Sequence, residues 1–124
     1  MHEYHLTVRG YELDSFKHVN NAVYLQYYEQ ARWEILQEKG FFPFFEKTNL
    51  FLAVIEANVK YLREVTLFDR LVIKTTMEKE APYLIFNQSI INEESGLTVS
   101  KGRIKTLLVD QERIPHDIPD DFLK

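Results

Sequence analysis

The sequence predicts an α+β fold in which one long helix is held against a curved antiparallel sheet of five strands. Three observations predict it. Residues 22–39 run without Gly or Pro and carry apolar side chains at helical spacing. From Phe51 almost to the end of the chain the apolar period becomes two. The period-two stretches are separated by short turn-forming segments, and consecutive strands with short links pair antiparallel.

The elements follow in order. His5 to Arg9 reads as a short strand, with Leu6 and Val8 alternating against His5, Thr7 and Arg9. After a polar loop, Asn20 and Asn21 offer capping amides, and the helix Ala22 to Lys39 is stopped by Gly40. Tyr24, Leu25, Tyr27, Tyr28, Ala31, Ile35 and Leu36 spread over about half its circumference at about 100° per residue, the broad stripe expected of a helix enclosed by a sheet. Trp33 lies on the polar face and is a candidate subunit contact. Phe41 to Phe45 reads as a loop apolar enough to be buried against a partner or to line an acyl pocket.

The strands are placed at Phe51–Leu62, Leu67–Lys79, Tyr83–Ile91 and Thr98–Val109. Arg63 to Thr66 connects the first two, Ala81-Pro82 breaks the next junction, and Asn92 to Gly96 supplies hairpin chemistry. Ile104, Thr106 and Leu108 fall on one face, with Lys101, Arg103 and Lys105 on the other. Pro115 and Pro119 end regular structure. One helix covers one face of such a sheet, so its other face and edges predict pairing with a second copy, as a homodimer or dimer of dimers.

Composition narrows the function. The chain has 124 residues, the length of one compact domain over residues 1–124, and its 45% hydrophobic content with 14% aromatic fills a real core. A net charge of −4 gives no basis for nucleic-acid binding. With no cysteine there is no thiolate metal site or cysteine nucleophile, and His2 and His5 fall on opposite faces of an extended first strand, so neither a metal nor another cofactor is expected. The N-terminus lacks a basic stretch followed by an apolar one, and no apolar run approaches the roughly 20 residues of a membrane span, which predicts a cytoplasmic protein. Asn87-Gln-Ser matches a glycosylation sequon, which such a protein would not use.

Between the first strand and the helix stands Glu12-Leu-Asp14-Ser-Phe-Lys17-His18-Val-Asn20-Asn21-Ala-Val-Tyr24. This segment resembles the signature of the 4-hydroxybenzoyl-CoA thioesterase type of hot-dog protein: an Asp, three residues, His-Val-Asn-Asn, then a Tyr. Val59-Lys-Tyr61-Leu-Arg63 is similar to that family's strand, Phe68-Asp69 stands where it has a Gly-Asp turn, and Ile114 to Pro119 resembles its Pro-rich ending. The resemblance covers nearly the whole chain. It implies an acyl-CoA or acyl-carrier-protein thioesterase with Asp14 as the catalytic carboxylate.

The chemistry is also physically reasonable. A carboxylate just before a helix lies beside backbone N–H groups without intrahelical partners, at the positive end of the macrodipole. A thioester carbonyl polarised by the N–H groups near Asn21 and Ala22 would be attacked by Asp14 itself or by a water that Asp14 activates, and the same donors would hold the oxyanion. Asp14 could equally be a turn residue. His18 could orient Asp14 or the substrate, or bond the loop backbone. Tyr24 belongs to the apolar stripe and, through the resemblance, to the substrate pocket. Lys60 and Arg63, with Lys101, Arg103 and Lys105, could meet coenzyme A phosphates or form a solvated strand face. Glu29 and Arg32 are spaced as a helical i,i+3 pair. The family usually has Gly where Lys17 stands, so Lys17 bears on the substrate: it could favour an anionic group or point to water. The rival reading is a non-catalytic acyl-CoA-binding or scaffold hot-dog protein.

Overall fold

The computed structural model describes residues 1–123. Strand β1 (His2–Thr7) leads through a single 3-10 turn (Gly10–Glu12) and a loop to helix α1 (Asn21–Glu38), 18 residues long. A short helix α2 (Phe42–Thr48) follows. Then come β2 (Phe51–Tyr61), β3 (Arg70–Glu80), β4 (Tyr83–Asn92), β5 (Thr98–Val109) and the two-residue β6 (Pro115–His116). The sheet is antiparallel in the order β1-β3-β4-β5-β2, and β6 pairs with the end of β5. Among the described residues no helix is long and apolar enough to cross a membrane.

The expected α+β architecture holds, with four corrections. The sheet has six strands rather than five. Leu108 and Val109 extend beyond the last β4 pairing, Tyr83 with Leu107, and His116 and Pro115 fill the places opposite them. Pro115 is tolerated there because it stands at a strand end, where a missing N–H costs little. Phe41 to Phe45 is not a loop: a Pro at the start of α2 needs no N–H partner, and Asn49 ends the helix in the left-handed conformation at φ 57°. The first strand covers His2–Thr7 rather than His5–Arg9, although Val8 still bonds Asp69 and Phe68 by its backbone.

The fourth correction concerns the helix stripe. Tyr24, Tyr27, Tyr28, Ala31 and Ile35 are buried and span roughly 100°, with Leu36 apart from them, whereas Leu25 is 44% exposed. Buried tyrosines make the narrower stripe sufficient, because each carries a large apolar ring, and the Tyr27 and Tyr28 hydroxyls find partners in Glu12 and Ser100. Tyr28 shows how. Its ring lies so close to Gly102 that a Cβ there would stand 3.1 Å from it, and its hydroxyl donates to Ser100 Oγ at 2.7 Å. A Cβ at position 102 would require the Tyr28 ring to give way by a few tenths of an ångström. One core cluster therefore joins the first half of α1 to β1, β3 and β4 through Leu6, Leu71, Ile73 and Ile90. A second gathers Phe41, Leu84, Phe86, Ile104, Leu108 and Phe122 beneath the far end, where Phe41 and Phe122 stack at 4.0 Å.

Candidate active site

The loop before α1 is closed on itself and tied to the β2–β3 connection. The Asp14 N–H donates to the His18 carbonyl at 2.8 Å, Leu13 bridges Val19, and the Val19 N–H donates to the Val65 carbonyl at 2.8 Å. Such a turn needs a residue in the left-handed region, and Lys17 supplies it at φ 66°. The glycine expected from the family pattern is thus a conformational requirement of the turn, which Lys17 meets with strain. Phe68, where a Gly-Asp turn is expected, has φ 64° for the same reason, and Asp69 Oδ2 accepts the Thr66 N–H at 2.9 Å.

Asp14 is exposed, and its two oxygens differ. Oδ1 accepts the N–H groups of Phe16 at 2.8 Å and His18 at 3.2 Å, while Oδ2 carries none of the described hydrogen bonds. One oxygen is held by the loop backbone and the other is left without a described partner. His18 contacts Asp14 through its backbone; its ring turns to Glu64, with Nε2 3.2 Å from Oε2.

At the helix head, Asn20 Oδ1 accepts the Ala22 N–H at 3.0 Å. That donor is therefore occupied, whereas the Asn21 N–H carries none of the described hydrogen bonds. Tyr61 donates to the Asn21 carbonyl at 3.3 Å, and its ring meets Tyr24 edge-on at 5.0 Å. Burial, with smaller contributions from Tyr61 and Glu64, pushes the Tyr24 hydroxyl up to about 12, so it keeps its proton at neutral pH.

Asp14, His18, Asn21, Tyr24, Tyr61 and Arg63 line one open pocket of about 270 Å³. Of the residues singled out from sequence, five meet there. Lys17 is exposed on the turn outside it. Lys60 projects from the opposite face of the sheet, directly across from Lys101, and both line an open hollow of about 510 Å³ with Lys74 and Arg103. Arg103 is engaged by Glu80 at 3.2 Å, and Lys105 lies 4.8 Å over the Tyr83 ring. Tyr61 was missed as a pocket residue, although the Tyr-Leu-Arg segment containing it was the signal.

Glu12 was missed as well. It is 4% exposed, and its carboxylate accepts from the Arg9 backbone N–H at 2.8 Å, Arg9 Nε at 3.1 Å, Arg9 Nη2 at 2.6 Å and the Tyr27 hydroxyl at 2.8 Å. Burial pushes its carboxyl upward, but these donors outweigh burial and hold it below the usual range. Its carbonyl also accepts the Asn20 N–H at 3.0 Å, so Glu12 seats the loop against α1.

A second concavity, an apolar groove of about 380 Å³, lies between the far half of α1, α2 and the start of β2. Trp33, Phe42, Phe45 and Phe51 line it, together with Glu29 and Arg32. Trp33 stacks on Phe42 at 5.7 Å, so the aromatic segment after α1 lines a concavity as well as packing on Phe122. Arg32 Nη1 donates to Gln88 Oε1 at 3.1 Å, and no carboxylate reaches it within ion-pair distance among the described residues.

A carboxylate with one unbonded oxygen, lining the same pocket as a helix-head residue whose N–H has no described partner, suits attack on a polarised carbonyl. Comparison with known proteins finds similarity to thioesterases. The thioesterase-like superfamily matches residues 8–124. Long-chain acyl-CoA thioesterase FadM of Escherichia coli is 34% identical over 106 residues, covering 85% of this chain and 80% of FadM. Acyl-acyl carrier protein thioesterase ATL2 of Arabidopsis thaliana is 39% identical over 120 residues; the match takes in 95% of this chain but 64% of that protein. Among solved structures, the probable thioesterase YbaW of Escherichia coli superposes with a TM-score of 0.89 at 28% identity, covering 98% of both chains. The architecture is the hot-dog fold that the sequence resemblance implied.

Proposed function

Since the chain belongs to the thioesterase-like superfamily, we propose that it hydrolyses acyl thioesters to a free acid and a thiol, with Asp14 as the catalytic carboxylate. The observation that carries this reading is that Asp14 and Asn21 line one pocket at the head of α1, where neither Asp14 Oδ2 nor the Asn21 N–H has a described partner. The thioester carbonyl takes the Asn21 N–H, the macrodipole favours the developing oxyanion, and Asp14 attacks the carbon or deprotonates a water. Attack expels the thiolate, breaking the C–S bond to leave a mixed anhydride that water then cleaves to the free acid and the Asp14 carboxylate; in the general-base route Asp14 takes a proton from water as the oxygen attacks, and the departing thiolate takes that proton. Tyr24, protonated throughout, and His18 border the substrate, and Arg63 at the rim meets an anionic part of the carrier. The printed names of FadM and ATL2 support coenzyme A and acyl carrier protein as the carriers.

The test is release of free thiol from a panel of acyl-CoA and acyl-carrier-protein thioesters. Asp14→Asn keeps the Oδ1 acceptor and removes the charge, so turnover is expected to fall 100-fold or more, on the order of a lost acid–base or nucleophilic group. Turnover within twofold of the native protein would overturn the assignment.

The site is completed, in this reading, by a second copy. Strand β2 is an eleven-residue edge strand on which Phe51, Val54, Ile55 and Tyr61 are each at least 40% exposed, a surface that soluble chains cover. Antiparallel pairing of two β2 strands covers it and sets the Tyr61 end of one copy, beside its Asp14 pocket, against the Phe51 end of the other, beside its apolar groove. Light scattering should give at least twice the 14.8 kDa chain mass; a stable monomer would contradict the pairing.

A further inference from the structure

The end of the sheet that carries the Asp14 pocket also carries the most exposed aromatic rings. Tyr11 is 83% exposed, Phe16 78% and Phe68 72%, against 48% for Trp33, the next ring among the described residues. They stand on three turns: the 3-10 turn Gly10–Glu12, the turn closed by Asp14 and His18, and the β2–β3 connection. Backbone bonds gather these turns. Val8, before the first, exchanges hydrogen bonds with Phe68 and Asp69, and Val19, after the second, donates to Val65. Exposed Leu97 joins them on the β4–β5 hairpin, whose Glu93 N–H donates to the Arg70 carbonyl at 2.8 Å. Among the described residues none of the three rings packs on another ring. Phe68 keeps its place at φ 64°, with the clash a side chain meets there. A ring that strains its own backbone and is left in water contributes little to the fold and points to a contact outside it.

We propose that this end of the molecule docks on an anionic lipid bilayer, with Tyr11, Phe16 and Phe68 entering the headgroup region and Lys17 and Arg70 meeting lipid phosphates. Rings set apart on separate turns can each slip between lipids, whereas a protein partner would need a separate pocket for each. The charges fit this occupant. Most acids of these loops are engaged within the molecule, Glu12 by Arg9, Glu64 by His18, Glu93 by His5 and Asp69 by Thr66. Asp14 in the pocket and Glu94 on the hairpin remain, while Lys17 and Arg70 are exposed and make none of the described ion pairs. Because the whole chain carries −4, an anionic surface repels the rest of the molecule and favours this end. Tyr11 follows β1 and Phe68 precedes β3, the two strands at the sheet edge away from β2, so the β2 pairing proposed above leaves both rings uncovered. Docking in this way sets the Asp14 pocket at the lipid surface.

The inference reaches beyond hydrolysis, and its test needs no substrate. The native protein is sedimented with vesicles of equal parts phosphatidylcholine and phosphatidylglycerol, and with vesicles of phosphatidylcholine alone. It should bind the mixed vesicles and bind the neutral ones more weakly. The double variant Tyr11→Ser, Phe68→Gly should bind the mixed vesicles at least about tenfold more weakly than the native protein, the worth of taking one exposed ring out of water. Both substitutions fall on exposed turn residues, and glycine suits the backbone at position 68, so the variant should remain folded. With a brominated lipid in the mixed vesicles, the fluorescence of Phe68→Trp should be quenched, while Trp33, the one tryptophan of the native protein, should not be. No binding of the native protein to mixed vesicles, equal binding to neutral ones, binding retained in the double variant, or quenching of Trp33 as strong as that of Phe68→Trp would overturn the inference. Binding of an acyl carrier protein that depends on Tyr11 and Phe68, with no binding to vesicles, would assign the rings to a protein partner instead. Vesicle binding without thioester hydrolysis would leave this inference standing and remove the thioesterase reading alone.

Discussion

Glu12 and Asp14 lie two residues apart in the loop that enters α1. The Glu12 carboxylate is buried and receives four hydrogen bonds from Arg9 and Tyr27. Asp14 is exposed, and its two hydrogen bonds fall on one oxygen. A carboxylate saturated with donors has no lone pair left for a reaction and acts as a joint. One that is held by a single oxygen is oriented yet still able to react, and the joint two residues away is what keeps its loop in place.

The contrast predicts opposite outcomes for neighbouring substitutions. Asp14→Asn is expected to remove turnover while leaving the unfolding free energy within about 0.5 kcal/mol, the range of a surface change that breaks no cap or core contact. Glu12→Ala strands the Tyr27 hydroxyl and uncouples Arg9, whose exposed side chain can recover water, so a loss of about 2 to 3 kcal/mol is expected in denaturant unfolding. If Glu12→Ala kept full stability, the loop would be held by something other than this joint. Acid sharpens the same point. Because the folded-state Glu12 carboxyl lies below its ordinary value, its contribution is fully present above about pH 4.3 and is lost as pH falls through the folded value. The acid side of the stability curve should therefore be flatter in Glu12→Ala than in the native protein.

The same contrast explains which features could be read along the chain. Strand Thr98–Val109 was legible to the residue because alternation is a local property visible in twelve consecutive letters. The loop around Asp14 was legible because the N–H groups that hold its carboxylate lie within four positions and the segment carries a family pattern. Gln88 and the Tyr28–Ser100 contact were not, since each acquires its role from residues far along the chain that only the fold brings near, and the burial of Glu12 against Tyr27, 15 positions on, is hidden in the same way although its Arg9 partner is local. Helix α2 was missed for a different reason: between Gly40 and Asn49, with Pro43 inside, punctuation outweighs a helical stripe only seven residues long. The stripe on α1 was overestimated at Leu25, because hydropathy counts leucine as core and does not weigh what three buried tyrosines can fill.

The smallest expected effect probes the turn that both carboxylates share. Lys17 and Phe68 occupy the left-handed region where glycine is free of the side-chain clash. Relief of that clash is worth about 1 to 2 kcal/mol, and the added freedom of glycine in the unfolded chain gives back about 0.5 to 1 kcal/mol, so Lys17→Gly should stabilise the fold by at most about 1.5 kcal/mol. Phe68→Gly should behave alike, because the Asp69 side chain that closes its turn onto Thr66 is untouched. Since Asp14 Oδ1 is held by the N–H groups on either side of Lys17, and both remain in Lys17→Gly, the proposed turnover should survive that substitution. A Lys17→Gly protein that is more stable but selectively slow on anionic acyl groups would instead make the lysine side chain part of substrate binding, and would move the division between joint and reactive carboxylate one turn further into the loop.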